Sequence, residues 1–276
     1  MPAVMNDAIE LYYEAFGIQD DPVVVCLPGM GYQLLIYPEE FCMALVDRGF
    51  FVIRMDNRDA GLSSITADHD EYTLSDMAGD VVAVLDDVGV DTAVVLGLSL
   101  GGMIAQQLAV DHPKRVRALV SLASTTGEPD LPVASDEVLA ALTAPSKETT
   151  AEQIEADTAA RKLWANPEWH DVDQLRVFFT ELHHRAFVPG GGMRQLEAAL
   201  RSPSRVDGLR ALDVPALIVH GENDTLLSIE HGRRTAELIP GAEFLEIEGM
   251  SHDFVYQVWP PLVEAMTVLT ARTFEG

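Results

Sequence analysis

Gly97-Leu98-Ser99-Leu100-Gly101 sets a serine at the centre of a G-x-S-x-G pattern, with an apolar β-branched run before it and an apolar helical run after it. A turn this sharp between strand and helix strains the serine backbone. It also brings the residues two before and two after so close that side chains there would clash. A hydroxyl is a poor nucleophile at neutral pH; it needs a base, and the base needs an acid to orient it. Among the eight histidines, His252 stands in Gly249-Met250-Ser251-His252-Asp253, between the last predicted strand and the last predicted helix. That is the sheet edge on which Ser99 would be displayed. Asp224 follows the preceding strand, in His220-Gly221-Glu222-Asn223-Asp224; Glu222 comes earlier in the turn and His220 reads as a packed strand residue. Glu128 and Asp130 offer another acid, but both fall late, in the run away from the sheet. The candidate triad is therefore Ser99, Asp224 and His252, in the chain order expected of an open α/β sheet.

Acyl transfer also needs N–H donors for the oxyanion. Leu100, directly after the nucleophile, supplies one. The loop Pro28-Gly29-Met30-Gly31 after the run Val23 to Leu27 supplies the other, with Met30 N–H the candidate. Gly97 and Gly101 shape the elbow itself. No metal is expected, since Asp68, His69 and Asp70 sit in a polar loop without a coordination pattern. No phosphate-cradling loop is present, so no cofactor is expected. Cys26 and Cys42 lack metal or redox spacing and read as buried free thiols.

The elements that must hold these groups alternate along the chain. Strands are expected at Ala8 to Phe16, Val23 to Leu27, Phe51 to Met55, Ala93 to Leu96, Val116 to Leu122, Pro215 to Gly221 and Glu243 to Ile247. Helices are expected at Glu39 to Arg48, Leu74 to Asp87, Gly101 to Asp111, Ile229 to Ile239 and about Val255 to Arg272. This alternation predicts an α/β fold with mostly parallel strands joined by crossover helices. From about Thr125 to Arg205 the chain becomes helical and polar and carries a Pro-Gly-Gly-Gly run at 189–192. A core domain of residues 1–125 and 205–276 interrupted by a helical cap at 126–204 is the expected organisation. Trp164, Trp169, Phe178, Phe179 and Phe187 are its candidate pocket residues.

Composition excludes some partners. Forty-four acidic residues against eighteen basic ones leave a net charge of −26, which repels nucleic acid. No run of 18 apolar residues is present, so no membrane span is expected. The N-terminal segment lacks the basic and apolar regions of a signal peptide, so a cytoplasmic location is the expectation.

Taken together, Pro28-Gly29-Met30-Gly31, the segment Asp56 to Ser63, Gly97 to Gly102, His220 to Leu226 and Gly249 to Asp253 resemble the landmarks of the α/β-hydrolase family, in family order and over nearly the whole chain. The family usually has D-x-R-G-x-G-x-S after the fourth strand, and here Asp59 stands where glycine is common. Tyr37-Pro38-Glu39-Glu40-Phe41 together with Asp56 to Gly61 is similar to the aclacinomycin methylesterase group. The resemblance implies a serine carboxylic ester hydrolase using water on small to medium hydrophobic or aromatic esters. The same fold also supports perhydrolysis of the haloperoxidase kind, carbon–carbon bond hydrolysis, and non-catalytic ligand sensing. Members that act on haloalkanes or epoxides use an aspartate nucleophile, and Ser99 speaks against those. Nothing in the sequence sets the oligomeric state.

Overall fold

The computed structural model describes residues 3–67 and 71–274, so the Asp68-His69-Asp70 stretch lies outside the described residues. The chain opens with β1 (Ala3–Asn6), β2 (Ile9–Phe16), β3 (Val23–Leu27), α1 (Glu39–Val46) and β4 (Phe51–Met55). It continues through α2 (Leu74–Val88), β5 (Ala93–Leu98), α3 (Leu100–Asp111) and β6 (Val116–Leu122). Five helices follow before the next strand: α4 (Asp136–Leu142), α5 (Thr150–Arg161), α6 (Val172–Arg185), α7 (Gly191–Arg201) and α8 (Val206–Arg210). The chain closes with β7 (Ala216–Gly221), α9 (Ile229–Leu238), β8 (Glu243–Ile247) and α10 (Trp259–Phe274).

Among the described residues the strands form one sheet in the order β1-β2-β4-β3-β5-β6-β7-β8. β1 and β2 run antiparallel to their neighbours, and β4 through β8 are parallel. The architecture is the α/β sheet flanked by helices that the alternation predicts. β3, β4 and β5 are buried along their whole lengths, as befits parallel strands covered on both faces. Successive side chains feed opposite cores. Val23, Val25 and Leu27 pack with α2 and α3, whereas Val24 and Cys26 pack with Phe41, Cys42 and Leu45 of α1 and with Leu262 and Met266 of α10. Cys26 and Cys42 are free and buried. Burial pushes the Cys42 thiol up to about 12 and that of Cys26 well above its ordinary value, so neither is a thiolate at neutral pH.

Local chemistry fixes the helix ends. Thr73 and Asp76 make a reciprocal capping box at the start of α2, and Gly89 ends it in the left-handed region. α10 starts at Trp259 rather than near Val255, because Pro260 and Pro261 lack the N–H groups a helix running through them would need. β1 escapes the periodicity reading altogether; four residues pairing only with β2 carry no readable pattern. No helix among the described residues is long and apolar enough to cross a membrane.

The parallel strands all end on one edge, so the segments after β3, β5, β7 and β8 meet there. The helical run α4–α7 lies over the same edge, and its own apolar cluster joins Val138 and Trp164 to Leu226 of the β7–α9 loop. α8 returns the chain to the core through Leu209.

Candidate active site

Ser99 sits between β5 and α3 with φ +54° and ψ −115°, a conformation that L-residues hold only under constraint. The constraints are visible. A Cβ on Gly97 would lie 2.0 Å from the Gly101 carbonyl oxygen, and one on Gly101 would lie 2.0 Å from the Leu27 oxygen. A Cβ on Gly102 would meet the Ser124 side chain at 2.5 Å. Ser99 N–H donates to Leu122 O at 2.8 Å, and Ser124 Oγ donates to Ser99 O at 2.7 Å. The turn is therefore clamped from β6 while its glycines let α3 press against β3 and β5.

His252 Nδ1 lies 2.7 Å from Asp224 Oδ2, and both side chains are almost fully buried. The other carboxylate oxygen, Oδ1, accepts the N–H groups of Leu226 at 2.9 Å and Leu227 at 2.8 Å. Burial alone would raise the Asp224 pKa. The positive charge of His252 and the hydrogen bonds from His220 and His252 outweigh it and hold the carboxyl well below the usual range. An ionised carboxylate can only accept, so Nδ1 of His252 carries a proton in either charge state, and in the neutral ring it is Nε2 that keeps a lone pair. Nε2 has no hydrogen-bond partner among the described residues, and His252 and Ser99 line the same cavity.

His220 does more than pack. Its Nε2 lies 3.3 Å from Asp224 Oδ2, the oxygen that also faces His252, and 2.8 Å from Leu227 O, so it is a second nitrogen beside the carboxylate. Gly232 makes room for the ring, since a Cβ there would sit 2.6 Å from His220 Nδ1. Glu222 turns away and accepts Gly249 N–H at 3.0 Å, while Glu128 pairs with Arg234. Neither competes with Asp224.

Gly29 abuts the elbow, where a Cβ would lie 3.4 Å from Ser99 Cβ. The turn Gly29 to Tyr32 is closed by Tyr32 N–H donating to Gly29 O at 3.1 Å. Because a trans peptide sets C=O and N–H antiparallel, that bond leaves Met30 N–H directed away from it. Neither Met30 N–H nor Leu100 N–H has a partner among the described residues, and Met30 lines the cavity.

The cavity measures about 520 Å³. Of the five aromatic pocket candidates, Trp164, Phe179 and Phe187 line it. Trp169 and Phe178 do not, and the sequence reading is corrected for both. Trp169 lies against Gly249, 2.9 Å from where a Cβ would be, and Phe178, tilted to the Tyr32 ring and edge-on to that of Phe179, packs partly buried against the α1–α10 core. Aromatic content alone could not separate the inward face of α6 from its neighbours.

Sequence reasoning missed the polar side of this cavity. Gln153, Asp157 and Arg161 of α5 line it at a spacing of four residues, together with Tyr32 and His183. Asp157 Oδ2 meets His183 Nε2 at 2.5 Å, and Arg161 Nη1 donates to Tyr32 Oη at 3.0 Å. Burial pushes the Tyr32 phenol up, so it stays protonated. The i, i+4, i+8 run of polar residues was legible as one helix face; only the tertiary structure shows that this face turns inward. Arg161 also reaches Asp253, whose buried carboxylate accepts Asn166 N–H at 2.7 Å and faces His170 Nε2 at 2.6 Å. His252 N–H itself donates to Trp164 O at 2.9 Å. The loop carrying His252 is thus tied directly to the α5–α6 connection. Among the described residues no group of three or more His, Cys, Asp or Glu is arranged to hold a metal ion.

A parallel sheet of this order, with a strained serine between β5 and α3 and a buried His–Asp pair on the loops after β7 and β8, has the form of an α/β hydrolase. The chain belongs to that family: the alpha/beta hydrolase fold pattern matches residues 22–257. It is 31% identical over 297 aligned positions to rhodomycin D methylesterase DnrP of Streptomyces peucetius, covering 97% of each chain. Among solved structures it is similar to Est816, described as an N-acyl homoserine lactone degrading enzyme, with TM-score 0.73 and 28% identity over 98% of this chain and 99% of that one. The esterase RhEst1 from Rhodococcus sp. ECU1013 shares the fold, with TM-score 0.79 and 23% identity over 98% of this chain and 97% of that one.

Proposed function

We propose that this protein is a serine carboxylic ester hydrolase in which Ser99 is the nucleophile, His252 the general base and acid, and Asp224 the orienting acid. The observation that carries the reading is the 2.7 Å contact between His252 Nδ1 and Asp224 Oδ2, on the loop lining the cavity of a serine held at φ +54°. In the proposed cycle Ser99 Oγ attacks the ester carbonyl while its proton passes to His252 Nε2. The oxyanion forms against the N–H groups of Met30 and Leu100. Collapse breaks the bond to the alkoxy oxygen, which leaves as alcohol with the proton from Nε2. Water then attacks the acyl-serine, giving its proton to Nε2; the acid departs and Ser99 recovers its proton.

We read residues 126–204 as a cap that shields the acyl-enzyme from bulk water and shapes the substrate site. The cavity joins apolar walls, including Trp164, Phe179 and Phe187, to a polar side of Asp157, Arg161 and His183. That combination supports small to medium, aromatic-bearing esters with a polar substituent. The likeness to a rhodomycin D methylesterase supports methyl esters among them. The test is covalent: a fluorophosphonate should label Ser99, Ser99→Ala should abolish labelling, and His252→Ala should slow it by orders of magnitude. Undiminished turnover of p-nitrophenyl butyrate by Ser99→Ala would overturn the assignment.

A further inference from the structure

Two features of the sequence have no part in that chemistry: Asp59 in place of the usual glycine, and the Pro-Gly-Gly-Gly run at 189–192. In the structure they meet. Asp59 holds φ +64°, and its buried carboxylate accepts Thr66 N–H and Oγ1–H, Tyr72 Oη–H and Arg194 Nε–H, all within 2.9 Å. Its carbonyl presses on the first residue of α7, where a Cβ on Gly191 would lie 2.0 Å from Asp59 O. Gly192 approaches the loop after β3, with its Cβ position 3.4 Å from Gly31 Cα. The glycines thus let α7 dock end-on against both the Asp59 turn and the Pro28–Gly31 loop.

One turn further along α7 stands Gln195, which is completely buried. Its Oε1 accepts Gly31 N–H at 2.8 Å, and its Nε2 donates to Arg58 O at 2.7 Å. An acceptor on one side and a donor on the other leave the amide one orientation. Gly31 has φ +70°, the value of the third residue in a turn whose central peptide can flip. That peptide, between Met30 and Gly31, is the one whose N–H is fastened to Gln195.

We propose that Gln195 is a positioning residue for the oxyanion loop: its side-chain amide, fastened to Gly31 N–H, sets the aim of the Met30 N–H. The inference rests on the reading of Met30 as an oxyanion donor. Two fastenings act on the turn: Tyr32 N–H to Gly29 O orients the peptide that bears Met30 N–H, and Gly31 N–H to Gln195 blocks the flip that would change ψ of Met30. With the second removed, the Met30–Gly31 peptide can flip, the turn is held by the first fastening alone, and the aim of the donor loosens while the acyl and alcohol pockets remain. Turnover then falls and substrate binding does not, because the oxyanion develops only in the transition state.

The experiment compares wild type, Gln195→Met, Gln195→Glu and Arg194→Met on p-nitrophenyl butyrate, with phenylboronic acid as a tetrahedral mimic. Gln195→Met conserves size and removes both hydrogen bonds. Its kcat is expected to fall by about 10- to 100-fold, up to the cost of a misplaced group and short of the loss of a whole oxyanion donor, with KM within about twofold. Its affinity for phenylboronic acid should fall in step with kcat/KM. Gln195→Glu, which keeps an acceptor for Gly31 N–H, should recover part of the kcat. Arg194→Met loosens α7 from Asp59 without touching the turn; it should lower Tm and leave kcat within about twofold. Unchanged kcat in Gln195→Met, or a kcat loss in Arg194→Met equal to that of Gln195→Met, overturns the proposal. Should Gln195→Met fail to fold, wild-type amide exchange decides: Gly31 must be protected and Met30 protected only once phenylboronic acid is bound, and a fast-exchanging Gly31 refutes it. A wild type that fails to react with fluorophosphonate at Ser99 sinks the hydrolase reading. A wild type that reacts, beside an unaffected Gln195→Met, sinks only this one.

Discussion

Asp224→Asn is an isosteric change with a large expected consequence. The aspartate uses Oδ1 for the N–H groups of Leu226 and Leu227 and Oδ2 for His252, with His220 Nε2 farther off at 3.3 Å and closer, at 2.8 Å, to Leu227 O. Asparagine has one oxygen and one NH₂ for these places. Turning the NH₂ toward the backbone would set donor against donor and strand two buried N–H groups, each at about 1–3 kcal/mol. The asparagine oxygen therefore stays on the backbone, and its NH₂ faces His252 Nδ1. His252 responds by moving its own proton to Nε2, the atom that accepts the proton of Ser99 in the proposed cycle. Restoring the productive tautomer costs the two backbone bonds, about 4 kcal/mol in all. This corresponds to a fall in kcat of about 10³-fold at 1.4 kcal/mol per decade, the scale on which triad acids act. The assay is kcat and KM on p-nitrophenyl butyrate near neutral pH, with ¹⁵N NMR of His252 reporting which nitrogen is protonated. KM should hold. A loss below about tenfold, or an Nδ1–H tautomer in the variant, would refute the assignment of Asp224 as the group that orients His252.

Other outcomes follow from the same geometry. Gly101→Ala drives a Cβ to 2.0 Å from Leu27 O, where only backbone can yield; urea unfolding should show a loss at or beyond the upper end of overpacking, about 3 kcal/mol. Gly79→Ala, in the middle of α2 with its Cβ in ordinary contact at 3.7 Å, should instead raise stability by about 0.5–1 kcal/mol. Arg58→Met leaves Asp80 buried with only Asn6 as a side-chain partner, and should cost about 3–5 kcal/mol, much of it regained in the double variant with Asp80→Leu. Finally, the folded-state pKa of Asp224 lies below its ordinary value of 3.8. Its contribution to stability is therefore complete above that pH and is lost as pH falls toward the folded pKa. The stability gap between wild type and Asp224→Asn should shrink below about pH 4, and a gap that stays constant in acid would contradict the depressed pKa.

Much of this protein is readable from local pattern. The β-branched runs at 23–27, 51–55 and 116–122 announce strands because only both-sided burial suits them, and the glycines around Ser99 announce a turn in which side chains will not fit. The chain order of Ser99, Asp224 and His252 follows, because each stands just past a strand and parallel strands end on one edge. Tertiary structure decided what depends on directions between distant segments. Trp169 and Phe178 face away from the cavity and Phe179 faces in, although the two phenylalanines are adjacent. His220 proved to stand beside Asp224 as well as to pack, and the polar face of α5 turned inward to meet His183. Above all, Gln195 reaches Gly31 across 164 residues. Residue type and spacing say which atoms can donate or accept within a turn or a helix. Which buried donor meets which acceptor is set only when α7 docks, since the cost of an unpaired amide is the same wherever along the chain its partner lies.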